Sequence, residues 1–495
     1  MSGFSSFLPI AAIIVSLIAF VLIILFDKKP NAREAVTIIA AISKFGIVFS
    51  MVGYVLDGRY PQMRLFSLSP GIDLALRVDE AGIIFALLAS LLWIVTSFYS
   101  IGYMRGLSET RQTRFFASFA LCLSSTIGLA FSANLLTFYL FYEILTIATY
   151  PLVTHKGTPE SIKAGRKYLA YLLTGGVILL VAIVYTYQIS GTLDFKPGGI
   201  LPAGASFAEL AVLFSLFLVG FGFKAAIIPL HSWLPSAMVA PTPVSALLHA
   251  VAVVKAGVFG LVRATGFVIG PEVLADIGAG GVMAILASVT IVIASLLAFR
   301  QDNLKLRLAY STVAHLSYIV LGLALFSDYA WNGALLHIVN HGVMKITLFF
   351  CAGAIYVKTH LTNISDLDGI GRKMPLTMSA FTIATMGLAG MPPVAGFVSK
   401  FLLVEGAFAD GRAVFGVVLL ISGLLNAGYF FPIVYRAFFK SPSDNTGKNE
   451  APALMLIPIM VTAGLSLLFG LFPDGIFHFF NLAQNAVSQL AGGIW

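Results

Sequence analysis

The sequence predicts an all-α polytopic membrane protein of about fourteen transmembrane helices, and three observations predict it. Of the 495 residues, 59% are hydrophobic and only 11% are charged, against about 25% charged in an ordinary soluble chain. Apolar runs of roughly 20 residues, the length a helix needs to cross the hydrocarbon core, recur from end to end. These runs, dense in Leu, Ile, Val and 41 Phe, lack the two-residue alternation of a membrane barrel. A soluble enzyme is excluded, because so few charges cannot keep the surface of such a chain wet. A disordered or fibrous chain is excluded by the same apolar content.

The first expected span, 5–26, has no basic segment before it and reads as a retained helix, not a cleaved signal. The second is 35–56. The polar stretch 57–79 includes LFSLSPGIDLALRVD, whose alternation suggests a small outer-side β-hairpin. Spans follow at 81–101, 114–132, 134–154 and 166–188. The 207–235 run holds Pro229 and Pro235, so an interrupted helix is expected there. Next come 243–266, 279–299, 306–326 and 331–356. The 376–408 run is too long for one straight helix, and Gly390-Met391-Pro392-Pro393 should break it. Spans at 414–439 and 451–472 complete the series. The remaining polar loops, 189–206, 357–375 and 441–450, are too short for an independent soluble domain. Paired broken helices are how membrane proteins build an ion site at mid-depth.

The net charge of +8 is accounted for by topology. Nineteen of the thirty Lys and Arg fall on one alternate set of loops, including Lys28, Arg111, Lys163, Arg300, Lys373 and Lys448. Six fall on the other set: Arg59, Arg64, Arg77, Lys196, Arg263 and Arg412. Positive loops stay inside, so the first set is cytoplasmic and both termini face outward. Nothing in this pattern points to nucleic acid. Cys122 and Cys351 lie in apolar runs without metal spacing, and read as buried small hydrophobes. His337 and His341 resemble half a zinc site, but Ile338 stands where the glutamate of that motif belongs. No metal, nucleotide, flavin or haem site is expected, so the chain holds no chemistry that would power transport.

The five remaining lysines, Lys44, Lys224, Lys255, Lys345 and Lys400, fall inside expected spans, with Glu143 and Glu405. A charge at the bilayer centre costs about 2.5–3.5 kcal/mol on insertion scales, so these positions point to function. Lys44 and Glu405 sit nearer span ends and are expected to snorkel. Glu143 and Lys224 each need an opposite charge to stay ionised. Pairing them across helices would make ionised and neutral pairs close in energy, which suits a proton relay; a packing salt bridge is the plainer alternative. Lys224 lies five residues before Pro229 and Lys400 seven after Pro393. His249 and Lys255 share one span, and His337, His341 and Lys345 are spaced i, i+4, i+8 on one helix face. With His315 they form a titratable stripe in apolar surroundings, and imidazole can pass protons through either nitrogen.

These residues sit in recognisable blocks. FGFKAAIIPLHSWLPSAMVAPTPVSALLHAVAVVKAGVFGL (221–261), DNLKLRLAYSTVAHLSYIVLGL (302–323), LLHIVNHGVMKITLFF (335–350) and GLAGMPPVAGFVSKFLL (387–403) resemble the proton-conducting antiporter-like subunits. That family occurs in respiratory complex I, membrane-bound hydrogenases and multisubunit Mrp-type cation/proton antiporters, and the likeness covers roughly 75–440. It implies two inverted five-helix repeats, 114–266 and 279–440, with two discontinuous helices. Helices one to three with the hairpin (1–113) and a C-terminal loop with helix fourteen (441–495) would flank them. It also implies a Glu143–Lys224 pair, a connecting Lys255, a stripe of His315, His337, His341 and Lys345, and an exit lysine, Lys400. Ser236 stands where many relatives have aspartate. Lys400, not glutamate, argues against the subtype with an acidic exit. The chain is expected to lack the long lateral helix of the largest complex I member. That leaves a mid-sized chain resembling the D-type component of Mrp antiporters, or its hydrogenase or complex I equivalent.

The leading expectation is therefore a proton-translocating subunit of a larger ion-pumping complex in the cell membrane. Its partners would be other membrane subunits, and its cargo protons, with sodium as the other candidate. Protons would enter near Lys224 and Lys255, move along the stripe at mid-depth and leave near Lys400. The alternatives are a stand-alone proton-coupled transporter of a small solute and a scaffold that anchors a catalytic arm.

Overall fold

The computed structural model describes residues 2–69, 72–441 and 449–490. Lys448 and the tip of the expected hairpin, at 70–71, lie outside the described residues. Polar caps punctuate the apolar runs and set where helices begin. The long helices α1 (Leu8–Leu25) and α2 (Pro30–Ser50), followed by one short turn of helix at Val52–Leu56, precede the hairpin. α3 (Glu80–Gly106) starts where the Asp79 carboxylate accepts from Gly82 N at 2.8 Å. α4 (Gln112–Ala130) leads to α5 (Leu135–Val153), capped by Asn134 through Thr137 N. Thr158 caps α6 (Pro159–Ser190), and Ser206 with Glu209 forms a reciprocal capping box on α7 (Phe207–Ala225).

The second half holds α8 (Thr242–Ala250), α9 (Val253–Arg263), α10 (Ala279–Phe299), α11 (Leu304–Ala324) and α12 (Asp328–Thr359). It continues with α13 (Pro375–Ala389), α14 (Ala395–Ala409), α15 (Ala413–Phe439), α16 (Ala453–Leu471) and the short amphipathic α17 (Phe479–Leu490). Among the described residues, thirteen helices are long and apolar enough to cross a membrane, counting α8 and α9 as one. α13 and α14 are the halves of the expected 376–408 span. The protein is a multi-pass membrane protein, and every span expected from the sequence has its counterpart.

The hairpin is present as β2 (Arg59–Ser69) antiparallel to β3 (Ile72–Arg77), with Gln62 opposite Arg77. A strand not foreseen, β1 (Ser2–Ser5), pairs parallel to β2.

Burial sorts the helices into an interior and a rim. The most apolar stretches of Thr242–Ile269 and of α12 are wholly enclosed, while those of α1 and α15 are only one-third enclosed (33%). Outward faces carry Ile147, Val177, Ile285 and Leu424, the apolar belt that lipid requires of a spanning bundle. α12 packs against α3, α8, α11, α13, α14 and α16, and is the axis of the molecule.

Both expected breaks are present. α7 stops at Ala226, whose φ is +56°, and helix resumes for one turn at Trp233–Ser236. The amide of Ile228, freed by the break, donates to Thr290 Oγ1 at 3.2 Å. α13 stops at Gly390 (φ +91°), and Asn340 Nδ2 on α12 donates 2.8 Å to Ala395 O where α14 starts. A third break corrects the expectation of one continuous helix over 243–266. α8 and α9 are separated at Val251–Ala252, whose two amides share Leu247 O.

Candidate functional site

α12 supplies the centre. Helical spacing sets His337, His341 and Lys345 on one face, and all three are fully buried. Lys255, brought inward just after the third break, places Nζ 2.9 Å from His341 Nδ1. His315 on α11 places Nδ1 3.1 Å from His337 Nε2. The other nitrogen of His337 meets Ser399 Oγ at 2.9 Å. The three imidazoles stack, with His315 5.3 Å from both His337 and His341 between ring centroids.

Residues not singled out in the sequence connect this cluster to Lys345. Lys345 Nζ donates to Ser311 Oγ at 2.9 Å, and Ser311 Oγ lies 3.1 Å from the Tyr429 hydroxyl. Tyr429 bonds to Asn426 Oδ1, which also lies 3.0 Å from His315 Nε2. A continuous hydrogen-bonded run therefore links Lys345, Ser311, Tyr429, Asn426, His315, His337 and Ser399. Lys400 follows Ser399 on α14; its ammonium donates to Leu388 O at the α13 end and lies 4.9 Å from the centre of the Tyr318 ring. The available signal was a polar pair, Asn426 and Tyr429, at i, i+3 inside a span.

The expected Glu143–Lys224 salt bridge is not formed. Lys224 Nζ donates to Tyr142 O at 2.6 Å and sits 3.1 Å from the centre of the Tyr142 ring, with no carboxylate of the described residues within salt-bridge distance. Glu143 Oε1 has no hydrogen-bond partner among the described residues, and the carboxylate lies against Gly176 on α6. Lys224 is held by Tyr142 and the Glu143 carboxylate is turned to α6, as consecutive helix residues point about 100° apart. His249 is also outside the run. It is fully buried, its ring lies 4.8 Å from that of Phe349, and neither nitrogen has a partner among the described residues.

Lys44 does not snorkel, which corrects that expectation. It is fully buried, donates to Leu123 O at 2.9 Å and lies 4.9 Å from the Trp93 ring centre. Its place in the α2 interface leaves no outward route for the stem. Glu405 is half-buried.

Two further charge arrangements were not legible. Arg263, counted among loop cations, is enclosed and grips Asp79 through both nitrogens, at 2.5 and 2.8 Å. A cavity of about 760 Å³ gathers Lys156, Lys163, Lys167 and Lys305 at the starts of α6, α8 and α11, and Glu160 is the one carboxylate among its described residues. Lys167 donates there to Ser236 Oγ at 3.0 Å, a neutral partner.

Chemically, the cluster is a set of proton carriers in contact with one another, closed off from bulk water. Imidazole, ammonium, hydroxyl and phenol can each hold or pass a proton.

The sequence model of the NADH:quinone oxidoreductase/Mrp antiporter transmembrane family matches residues 132–426. NADH-quinone oxidoreductase subunit N of Desulforudis audaxviator is 34% identical over 440 residues, covering 84% of this chain and 85% of that protein. A chain of the Mrp complex of Dietzia sp. DQ12-45-1b superposes with a TM-score of 0.85 at 20% identity, over 98% of both chains. A chain of the archaeal membrane-bound sulfane sulfur reductase superposes with a TM-score of 0.87 at 23% identity, again over 98% of both. At those identities the two structures establish the shared fold.

Proposed function

The chain belongs to the NADH:quinone oxidoreductase/Mrp antiporter transmembrane family, and from that premise we propose that it is a proton-translocating, antiporter-like subunit of a multisubunit ion-pumping membrane complex. Its partners are other membrane subunits of that complex. The relay comprises Glu143, Lys224, Lys255, His249, His315, His337, His341, Lys345 and Lys400. The observation that supports this reading best is the set of buried proton carriers at hydrogen-bond distance: Lys345 with Ser311, His315 with His337 and Ser399, and Lys255 with His341. Proton carriers at hydrogen-bond distance inside an enclosed helix bundle have few purely structural uses.

The same chemistry favours protons over sodium. A sodium ion wants oxygen ligands, preferably anionic. The run offers imidazoles, ammonium groups and a few neutral oxygens that already hold hydrogen bonds, and the carboxylate of Glu143 faces α6 instead.

The lysine-lined cavity is the cytoplasmic intake in this reading, and Lys400 the outward exit. The two broken helices belong to two inverted five-helix repeats, 114–266 and 279–440. Both termini lie on the outer side, as the loop charges indicate.

The test is proton movement by the assembled complex in vesicles. Lys345→Met should reduce it by about 100-fold, the scale of a lost proton-transfer group, while all subunits still co-purify. Undiminished proton movement would overturn the reading.

A further inference from the structure

We propose that Asn426 fixes the tautomers of His315 and His337 and acts as a stop between two proton-carrying arms; this deepens, and rests on, the relay reading above. The amide of Asn426 has one orientation. Its Nδ2 lies 2.7 Å from Ser422 O, and a carbonyl can only accept, so the NH2 group is at that end. Oδ1 therefore faces His315 Nε2 at 3.0 Å and the Tyr429 hydroxyl. An amide oxygen has no proton to give, so both neighbours must donate to it.

The consequence propagates along each arm. His315 carries its proton on Nε2, which leaves Nδ1 of the neutral ring as a bare acceptor. The 3.1 Å contact with His337 Nε2 is then donated by His337. His337 Nδ1 is bare in turn and accepts from Ser399 Oγ at 2.9 Å. On the other arm Tyr429 gives its one proton to Oδ1. Ser311 must then donate across the 3.1 Å contact to Tyr429, and Lys345 donates to Ser311 at 2.9 Å. Both arms point their hydrogens at the same oxygen.

A proton can enter the histidine arm but cannot cross the amide. An extra proton arriving at Ser399 Oγ displaces the serine's own proton onto His337 Nδ1. The N–H bond at His337 Nε2 breaks as one forms at His315 Nδ1. Ser399 and His337 end neutral, and His315 ends as an imidazolium with Nε2–H still held by Asn426. Onward transfer to Tyr429 would have to protonate an amide oxygen, a very weak base. The pair is thus a proton store opening on the Ser399 side, insulated from Lys345. Asn426 is a positioning residue: it touches no cargo and acts through the ring it orients.

The test uses the complete complex containing 15N-histidine-labelled chain, with the His315 signals assigned by their loss in His315→Gln. The wild type should show His315 protonated at Nε2 and bare at Nδ1. Asn426→Leu should turn the patterns of both His315 and His337 into tautomer mixtures while the remaining histidines keep theirs. Asn426→Asp replaces the stop with a group that can take and release a proton. In vesicles without any driving reaction its proton leak should rise about 100-fold or more, the low end of what a proton-transfer group contributes. His315 protonated at Nδ1 in the wild type, an unchanged spectrum in Asn426→Leu, or an unchanged leak in Asn426→Asp would each overturn the proposal. A wild-type complex that moves no protons under any drive would instead defeat the relay reading, and the histidine signals would still decide the role of Asn426.

Discussion

The Lys255 ammonium lies 2.9 Å from His341 Nδ1, across the interface between α9 and α12. An ammonium only donates, so Nδ1 is the acceptor and the ring proton sits on Nε2, which has no partner among the described residues. Moving one proton along this contact exchanges a lysine cation for a histidine cation without any other change. Lys255→Met and His341→Gln should each slow proton movement. Together they should do little more than either alone, with a coupling of about 1 kcal/mol or more in a double-mutant cycle on turnover. Independent, multiplicative effects would show that the two do not share a step.

Lys224 bonds to Tyr142 O, and its ammonium and the Glu143 carboxylate do not touch. Their relation in the resting state is therefore through space, and a direct bridge would require a side chain to swing. Lys224→Met should abolish coupled transport yet leave assembly intact. Glu143→Asp, one methylene shorter, should keep part of the activity, and Glu143→Gln none. Normal transport by Glu143→Gln, measured as pH change in vesicles, would remove Glu143 from the path.

The Asp79–Arg263 clamp predicts stability, not transport. Arg263→Gln leaves the Asp79 carboxylate enclosed without its partner. The loss should be about 3–5 kcal/mol, read as a lower thermal midpoint of the purified complex. A midpoint within error of wild type would show that the pair is dispensable.

His155, in the turn after α5, predicts a pH effect. Burial, with the neighbouring Arg114 and Arg111 guanidinium groups, pushes it down to about 4. The folded value lies below the free value of about 6.5, so protonation favours the unfolded chain. Stability from this site is full above about pH 6.5 and is lost as pH falls towards 4. The loss of stability between pH 7.5 and pH 5 should be smaller in His155→Gln, by an amount on the order of 2 kcal/mol, read from thermal midpoints at the two pH values. Equal drops would exclude His155 as the cause.

Orientation is testable by labelling. A single cysteine at Arg111 should react only from the cytoplasmic side, and one at Lys196 only from outside. Either residue reacting from the opposite face would reverse the assignment of the termini.

The two proline-marked breaks were legible because Pro229 and Pro393 cannot donate a backbone hydrogen bond. The break at Val251–Ala252 was not, because AVAVV carries neither proline nor glycine, and only tertiary packing bends it. Titratable residues stood out by their cost in an apolar span, so every lysine and histidine of the run was found. Their partners were not, since Ser311, Ser399 and Tyr429 are ordinary in membrane helices. Asn426 was the one rare residue passed over. The Glu143–Lys224 pairing failed because sequence spacing fixes depth along a helix, not the direction in which a neighbouring helix presents its carboxylate.

The spacing of His337 and Lys345 on α12 has an electrical consequence. Eight residues separate them, so they are about 12 Å apart along the helix axis. With α12 near the membrane normal, that is about two-fifths of a hydrocarbon core of ~30 Å. A charge held at one end then differs in energy from a charge held at the other by about 0.9 kcal/mol for each 100 mV of transmembrane voltage. Protonation at the His337 end and at the Lys345 end should therefore respond unequally to voltage even when the proton concentrations on the two sides are equal.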